Sequence, residues 1–198
     1  MWTLTAIPTV AVLAYFGIWA AHFYKARYLH SDLKDIEKYY MSSDKTCFFV
    51  AEAYYDDRVR CQPIFLSEAE LRNFDSTGNL ASNFKNRAIV GTAALTRDRD
   101  LAVTAWMCRM SVKKRWRCNG IGSQLIDRIT RFASIKGFVA IELVTTECHS
   151  NGRSLYEKKG FEVAQMYHKK FFHLSGLAIT MYLMRFKTRP QRGAAIDL

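Results

Sequence analysis

A chain of 198 residues, 49% of them hydrophobic, has material for one domain with a full core but not for two comfortable ones, so a single domain with an appendage is expected. A formal charge of +11 draws anions, whether nucleic acid, acidic lipid, a carboxylate or a phosphate, and does not choose among them. The five cysteines, Cys47, Cys61, Cys108, Cys118 and Cys148, form no C-x-x-C pair; this excludes a disulfide framework and a structural zinc, and all but Cys118 read as small buried apolar residues of a reduced domain.

From Trp2 to Tyr24 there is no Asp, Glu, Lys or Arg. At about 1.5 Å per residue this stretch reaches roughly 34 Å, enough for a hydrocarbon core of roughly 30 Å, so residues 2–24 are read as one membrane helix. A signal peptide would want a positive start and a shorter apolar run. A helix packed in a soluble core would show one-sided periodicity, which is absent. Lys25, Arg27, Lys34, Lys38 and Lys45 all follow the apolar run, so the positive-inside bias puts everything after Tyr24 in the cytosol.

Ser31 to Met41 has capping residues at its start and Leu33, Ile36 and Tyr40 on one face, which predicts a short amphipathic helix. Strands are predicted at Cys47 to Ala53, Ile89 to Leu95 and Ala102 to Val112. Between the first two, Tyr54 to Ala88 carries no continuous strand signal and reads as an insertion, either a lid or a floppy loop. Ile121, Leu125, Ile129 and Ala133 recur every fourth residue and mark a helix from about Gly120 to Lys136, ended by Gly137. Phe138 to Thr145 follows as a buried strand, Asn151 to Lys159 as a helix stopped by Gly160, and then two more strands, the last from Ala178 to Phe186.

A strand ending at Val112, a basic turn, two glycines two apart and a helix starting there make an anion site, because backbone N–H groups point outward at a helix start and the dipole adds positive potential. Gly120 and Gly122 let the backbone approach a phosphate closely, and Lys113, Lys114, Arg115 and Arg117 surround it with charge. A dinucleotide fingerprint fails for want of a glycine at Leu125, and a P-loop fails for want of Gly-Lys-Ser/Thr.

The stretch from Val112 to Leu125 resembles the pyrophosphate loop of the GNAT acetyltransferase superfamily, and Leu155-Tyr156-Glu157-Lys158-Lys159-Gly160-Phe161 matches that family's second signature, in the same order. The resemblance implies an α+β fold: a mixed, mostly antiparallel sheet with splayed central strands flanked by helices, here joined to an N-terminal transmembrane helix. It implies acetyl-CoA as cosubstrate and no metal. The pyrophosphate would lie on Arg117, Cys118, Asn119, Gly120, Ile121, Gly122 and Ser123, the backbone of Met110, Ser111 and Val112 would hold the acyl and pantetheine amides, and His149 would stand where many members contact CoA. Tyr156 would protonate the departing thiolate, since a phenol near 10 lies above a thiol near 8.5. Glu142 is the carboxylate candidate for general base, although a structural pair with a neighbouring Arg or Lys is the favoured reading of that residue, and Glu147 and His149 compete with it.

The apolar anchor followed by Asp32 to Tyr40, Phe48 to Glu52, Val90 to Leu95 and Arg109 to Val112 is similar to the camello-like membrane acetyltransferases, a branch that includes N-acetylaspartate synthase and cysteinyl-conjugate acetyltransferases of the endoplasmic reticulum. This implies an anchor at residues 1–24, an acetyltransferase domain at 25–188 interrupted by 54–88, a tail at 189–198, and an endoplasmic reticulum membrane with the domain in the cytosol. The expected reaction is acetylation of a primary amine on a small molecule such as an amino acid or its conjugate, with Arg109 binding a substrate carboxylate or, alternatively, pairing within the sheet. Acetylation of protein lysines or amino termini is a second reading, and a non-catalytic CoA-binding membrane module a third. No nucleic-acid partner is expected, and the sequence leaves oligomeric state open.

Overall fold

The computed structural model describes residues 9–10, 12–20, 24, 31–55, 65, 86–97, 103–170 and 178–189. Contacts divide the chain into two units, Met1–Ser42 and Ser43–Leu198. In the first unit residues 12–20 are helical, with Leu13, Phe16 and Trp19 exposed. Among the described residues no helix is long and apolar enough to cross a membrane, and the rest of the expected span lies outside those residues. The helix expected over Ser31 to Met41 is instead two pieces, a 3-10 turn at Ser31–Leu33 and a π turn at Glu37–Met41. The break has a local cause: the Asp35 carboxylate accepts the Lys38 N–H at 3.0 Å and so caps a new start in mid-segment.

The second unit runs β1 (Cys47–Tyr55), β2 (Asn86–Arg97), β3 (Thr104–Val112), α1 (Ile121–Ile135), β4 (Ala140–Thr146), α2 (Ser150–Lys158), β5 (Glu162–Lys170) and β6 (Ala178–Lys187). The strands form one sheet in the order β1-β2-β3-β4-β6-β5. Among the described residues only β3 and β4 pair in parallel; the other neighbours are antiparallel. The first two strands extend into the segment read as an insertion, since Tyr54 pairs with Arg87 and Tyr55 with Asn86. Of the connection between them, Phe65 alone is described.

The helical period seen in the sequence buries Ile121, Leu125, Ile126, Ile129, Phe132 and Ala133 on one face of α1. That face meets Phe49, whose ring stands edge-on to Phe132 at 6.0 Å, and Gly91, where a Cβ would come within 3.0 Å of Ile121 and Leu125. Helix α2 lies beside α1, tied by Lys159 Nζ to Asp127 at 2.7 Å and by Leu155 against Gly122. Below it Tyr156, Phe161 and Phe186 stack in series, with centroids 5.8 and 5.2 Å apart.

Strand alternation puts Ile141 and Leu143 in the core under the helices and turns Glu142 to the other face. There Glu142, 5% exposed, accepts Arg185 Nε at 2.6 Å. Its partner matters because an unpaired buried carboxylate costs several kcal/mol.

The cysteines divide. Cys47 is buried as expected, whereas Cys148 is exposed, because it falls in the turn between β4 and α2 rather than on a strand. Burial pushes the Cys47 thiol from about 9 up to about 12. The unfolded thiol thus ionises first, and its contribution to stability is whole below pH 9 and lost as pH climbs from 9 to 12. Cys47→Ala is expected to remove about 2 kcal/mol of the stability loss between about pH 8 and 10.5, read by urea unfolding at both values. An alkaline loss as steep as in the parent protein would contradict the assignment.

Candidate functional site

The sheet opens into a fork. Strands β3 and β4 pair only from Thr104–Ala140 to Trp106–Glu142; beyond that β3 continues to Val112 and β4 to Thr146 without pairing each other. Buried backbone amides are otherwise almost always paired, so the facing edges form a slot lined by N–H and C=O groups that a linear amide-bearing ligand satisfies.

A bulge shapes one wall. Thr92 pairs with Ser111 and Ala94 with Cys108, so Ala93 alone faces both Arg109 and Met110. Arg109 takes the left-handed φ of 55, and its carbonyl accepts the Thr92 hydroxyl at 2.9 Å. The extra residue shifts the alternation. Ala105 and Met107 face the helices before it, Met110 and Val112 face them after it, and Ser111 is exposed on the other side. Arg109 itself sits half-buried at the bend.

The turn at the mouth of the fork connects β3 to α1. Lys114–Trp116 form one 3-10 turn, with Trp116 N–H donating to Lys113 C=O at 2.8 Å. Arg117 folds back so that its Nε donates to Val112 C=O at 3.0 Å, and Asn119 Nδ2 reaches the carbonyls of Trp116 and Arg117, each at 3.3 Å. Two residues then adopt left-handed backbone, Cys118 at φ 64 and Gly120 at φ 80. Gly120 is the N-cap of α1, no side chain caps the helix, and the first intrahelical bond is Gln124 N–H to Gly120 C=O at 3.0 Å. The amides of Ile121, Gly122 and Ser123 are therefore left without intrahelical acceptors at the positive end of the helix dipole, which suits a phosphate. The Ile121 side chain is buried, so that residue offers its backbone alone.

Gly122 is required by packing as well as by the ligand: a Cβ there would lie 2.9 Å from Leu155 Cδ2 and 3.3 Å from Met110 Cε. Helix α2 thus abuts the first turn of α1, and Tyr156 follows directly. Its ring is largely buried against Phe161, burial raises its hydroxyl above the usual 10, and the hydroxyl makes no hydrogen bond to a described residue. His149, exposed at the start of α2, uses Nδ1 for Thr146 Oγ1 at 2.8 Å, which leaves Nε2 pointing away from that contact. Glu142 stands where the fork closes, engaged by Arg185. Glu147 is drawn below the usual carboxylate range by hydrogen bonds from the Thr180 side chain and backbone and by His168.

The structure thus brings the turn, the β3 wall and Leu155 together at the mouth of the fork, with Tyr156 the next residue along α2, and sets Glu142 at the closed end. Two neighbours of the turn escape sequence reasoning. The Trp116 ring packs edge-on against Tyr55 with centroids 5.1 Å apart, and Phe65, from the connection between β1 and β2, comes within 3.4 Å of where a Cβ on Gly120 would be. No periodicity or motif marks either contact, because both join segments distant in the chain.

The family model for the acetyltransferase (GNAT) domain matches residues 82–163. The chain is similar to a probable N-acetyltransferase camello of Xenopus tropicalis, 26% identical over 164 residues, covering 82% of this chain and 60% of that protein. It is also similar to an N-acetylaspartate synthetase of Rattus norvegicus, 31% identical over 133 residues, covering 67% of this chain and 33% of the relative. The chain therefore spans from a third to about three fifths of the length of these relatives. Among solved structures, an acetyltransferase of the GNAT family from Staphylococcus aureus Mu50 aligns at 19% identity and a TM-score of 0.47, over 79% of this chain and 77% of that one.

Left-handed backbone costs a residue with a Cβ roughly 1–2 kcal/mol, a penalty that glycine escapes. Cys118→Gly is expected to stabilise the fold by about 0.5–1 kcal/mol, allowing for the added freedom of the unfolded chain. That corresponds to a rise in Tm of roughly 2 °C, read by calorimetry. An unchanged or lower Tm would mean that the turn is relaxed at Cys118.

Proposed function

Because the chain carries a GNAT acetyltransferase domain, we propose that it transfers acetyl from acetyl-CoA to a primary amine, with the CoA pyrophosphate on the turn from Arg117 to Ser123 and the pantetheine arm in the fork between β3 and β4. The fork carries this reading, since it joins a slot of open backbone amides to an anion-binding turn at one end. Attack by the amine nitrogen on the thioester carbonyl forms the amide bond and breaks the carbon–sulfur bond, so the thiolate must gain one proton and the ammonium must lose one to a base; the further proton that the nitrogen sheds as the amide forms replaces the one given to the thiolate.

Tyr156 supplies the first proton. Its raised pKa keeps it protonated through neutral and mildly alkaline pH, so the donor fails only above about pH 10. For the second proton we favour His149, whose Nε2 is open, over Glu142, whose Oε1 is taken by Arg185. Met110, Ser111 and Val112 offer the fork-side backbone.

The acceptor we favour is a small amine bearing a carboxylate. The net charge of +11, the position of Arg109 on the part of β3 that has left β4 and the similarity to proteins named N-acetylaspartate synthetase support it. Consumption of acetyl-CoA with a panel of amino acids and their conjugates, against a panel of peptides, tests the reading. Turnover on peptides alone would favour a protein acetyltransferase, and binding without turnover a non-catalytic module. With a working acceptor, Tyr156→Phe is expected to lower kcat about 100-fold at nearly constant KM for acetyl-CoA; an undiminished kcat would end the acid role.

We further propose that residues 2–24 anchor the chain in a membrane through the exposed apolar helix that includes Leu13, Phe16 and Trp19, with the second unit in the cytosol and the endoplasmic reticulum as the membrane. Protease treatment of intact microsomes is expected to digest a carboxyl-terminal tag, and a shielded tag would reverse the orientation.

A further inference from the structure

We propose that Trp116 is the positioning residue that holds the phosphate turn in its binding shape, acting through its contact with Tyr55. The inference rests on the acetyl-CoA reading of the turn and asks what keeps that turn in place.

Much of the hydrogen bonding described in the turn is local. Arg117 is tied to Val112 at the end of β3, Asn119 to Trp116 and Arg117, and Trp116 to Lys113. Those bonds fix the internal shape of the turn and hang it from the end of β3. A cysteine in left-handed backbone persists only where its surroundings over-determine it. Lys113 N–H donating to Val90 C=O at 2.8 Å fixes where the turn begins. Farther along, the Trp116 ring packs against the core, edge-on to Tyr55 at the last position of β1. Tyr55 is itself in the ladder with Asn86, so the indole is braced against the sheet rather than against a loop. Trp116 lies two residues before Cys118 and four before the helix cap. Loss of its brace would let Cys118 relax out of the left-handed region, and the amides that follow would turn away from a common point. The turn would then be intact as a fold and poor as an anion site.

The positioning role separates from ordinary packing by its rescue. Acetyl-CoA affinity of the full chain is read by titration calorimetry, with Tm measured alongside and titrations made well below it. Trp116→Ala is expected to weaken acetyl-CoA binding about tenfold or more, Trp116→Phe to weaken it little, and Tyr55→Ala to resemble Trp116→Ala, with the double variant no worse than either alone. Adding Cys118→Gly to Trp116→Ala is expected to recover much of the affinity, because glycine enters the left-handed region without the Cβ penalty that the brace offsets. Unchanged affinity in Trp116→Ala overturns the proposal, as does an affinity that Cys118→Gly fails to recover. If Trp116→Ala does not fold, Tyr55→Ala with and without Cys118→Gly decides by the same criteria. A parent chain that fails to bind acetyl-CoA removes the reading of the site itself, whereas one that binds and is indifferent to these changes removes only the role of Trp116.

Discussion

The parting of β3 and β4 after Trp106 and Glu142 governs the rest of the molecule. Two parallel strands that stayed paired would satisfy their own edges and leave nothing for a ligand to bind. By separating, they expose backbone amides that must find partners elsewhere, and the separation has to be held open from both faces. The helices brace one face, with α1 seated on Gly91 and α2 on the first turn of α1 through Leu155. On the other face the ion pair of Glu142 with Arg185 lies at the vertex, on the last paired residue, where it joins β4 to β6. The bulge at Arg109 then turns the part of β3 beyond β4's reach so that Met110 and Val112 pack under α1 and Ser111 does not.

Side-chain period carried much of this in the sequence. The four-residue recurrence through Ile121, Leu125 and Ile129 is the buried face of α1, and the β-branched and aromatic runs are the strands. The glycines of the turn were legible because their chemistry is local: a left-handed cap at Gly120 and a close approach at Gly122 both need a missing Cβ. The break at Asp35 was not, since a helical pattern of apolar residues says nothing of a carboxylate that caps in its middle. Nor was the role of Glu142. A carboxylate on a strand reads alike whether it serves as a base or as half of an ion pair, and the difference lies in Arg185, far along the chain and two strands away in chain order.

The same limit applies to Tyr55 and Trp116. Each is a plausible surface aromatic when read alone, and their contact exists because β1 ends where the connection leaving β3 turns. Local rules find the groups that touch a ligand; the groups that hold those in place are found only once the strands have been laid side by side.

The strand order has a consequence for how the chain is made. Strand β6, the last of the described strands in sequence, occupies an interior position between β4 and β5. Until it has been synthesised, β5 has no neighbour and β4 has only its short pairing with β3, so one wall of the fork hangs from three paired residues. The cleft therefore cannot mature residue by residue as the ribosome releases the chain; it closes in a late, long-range step, and an unpaired β5 is the surface that must be shielded while that step is awaited.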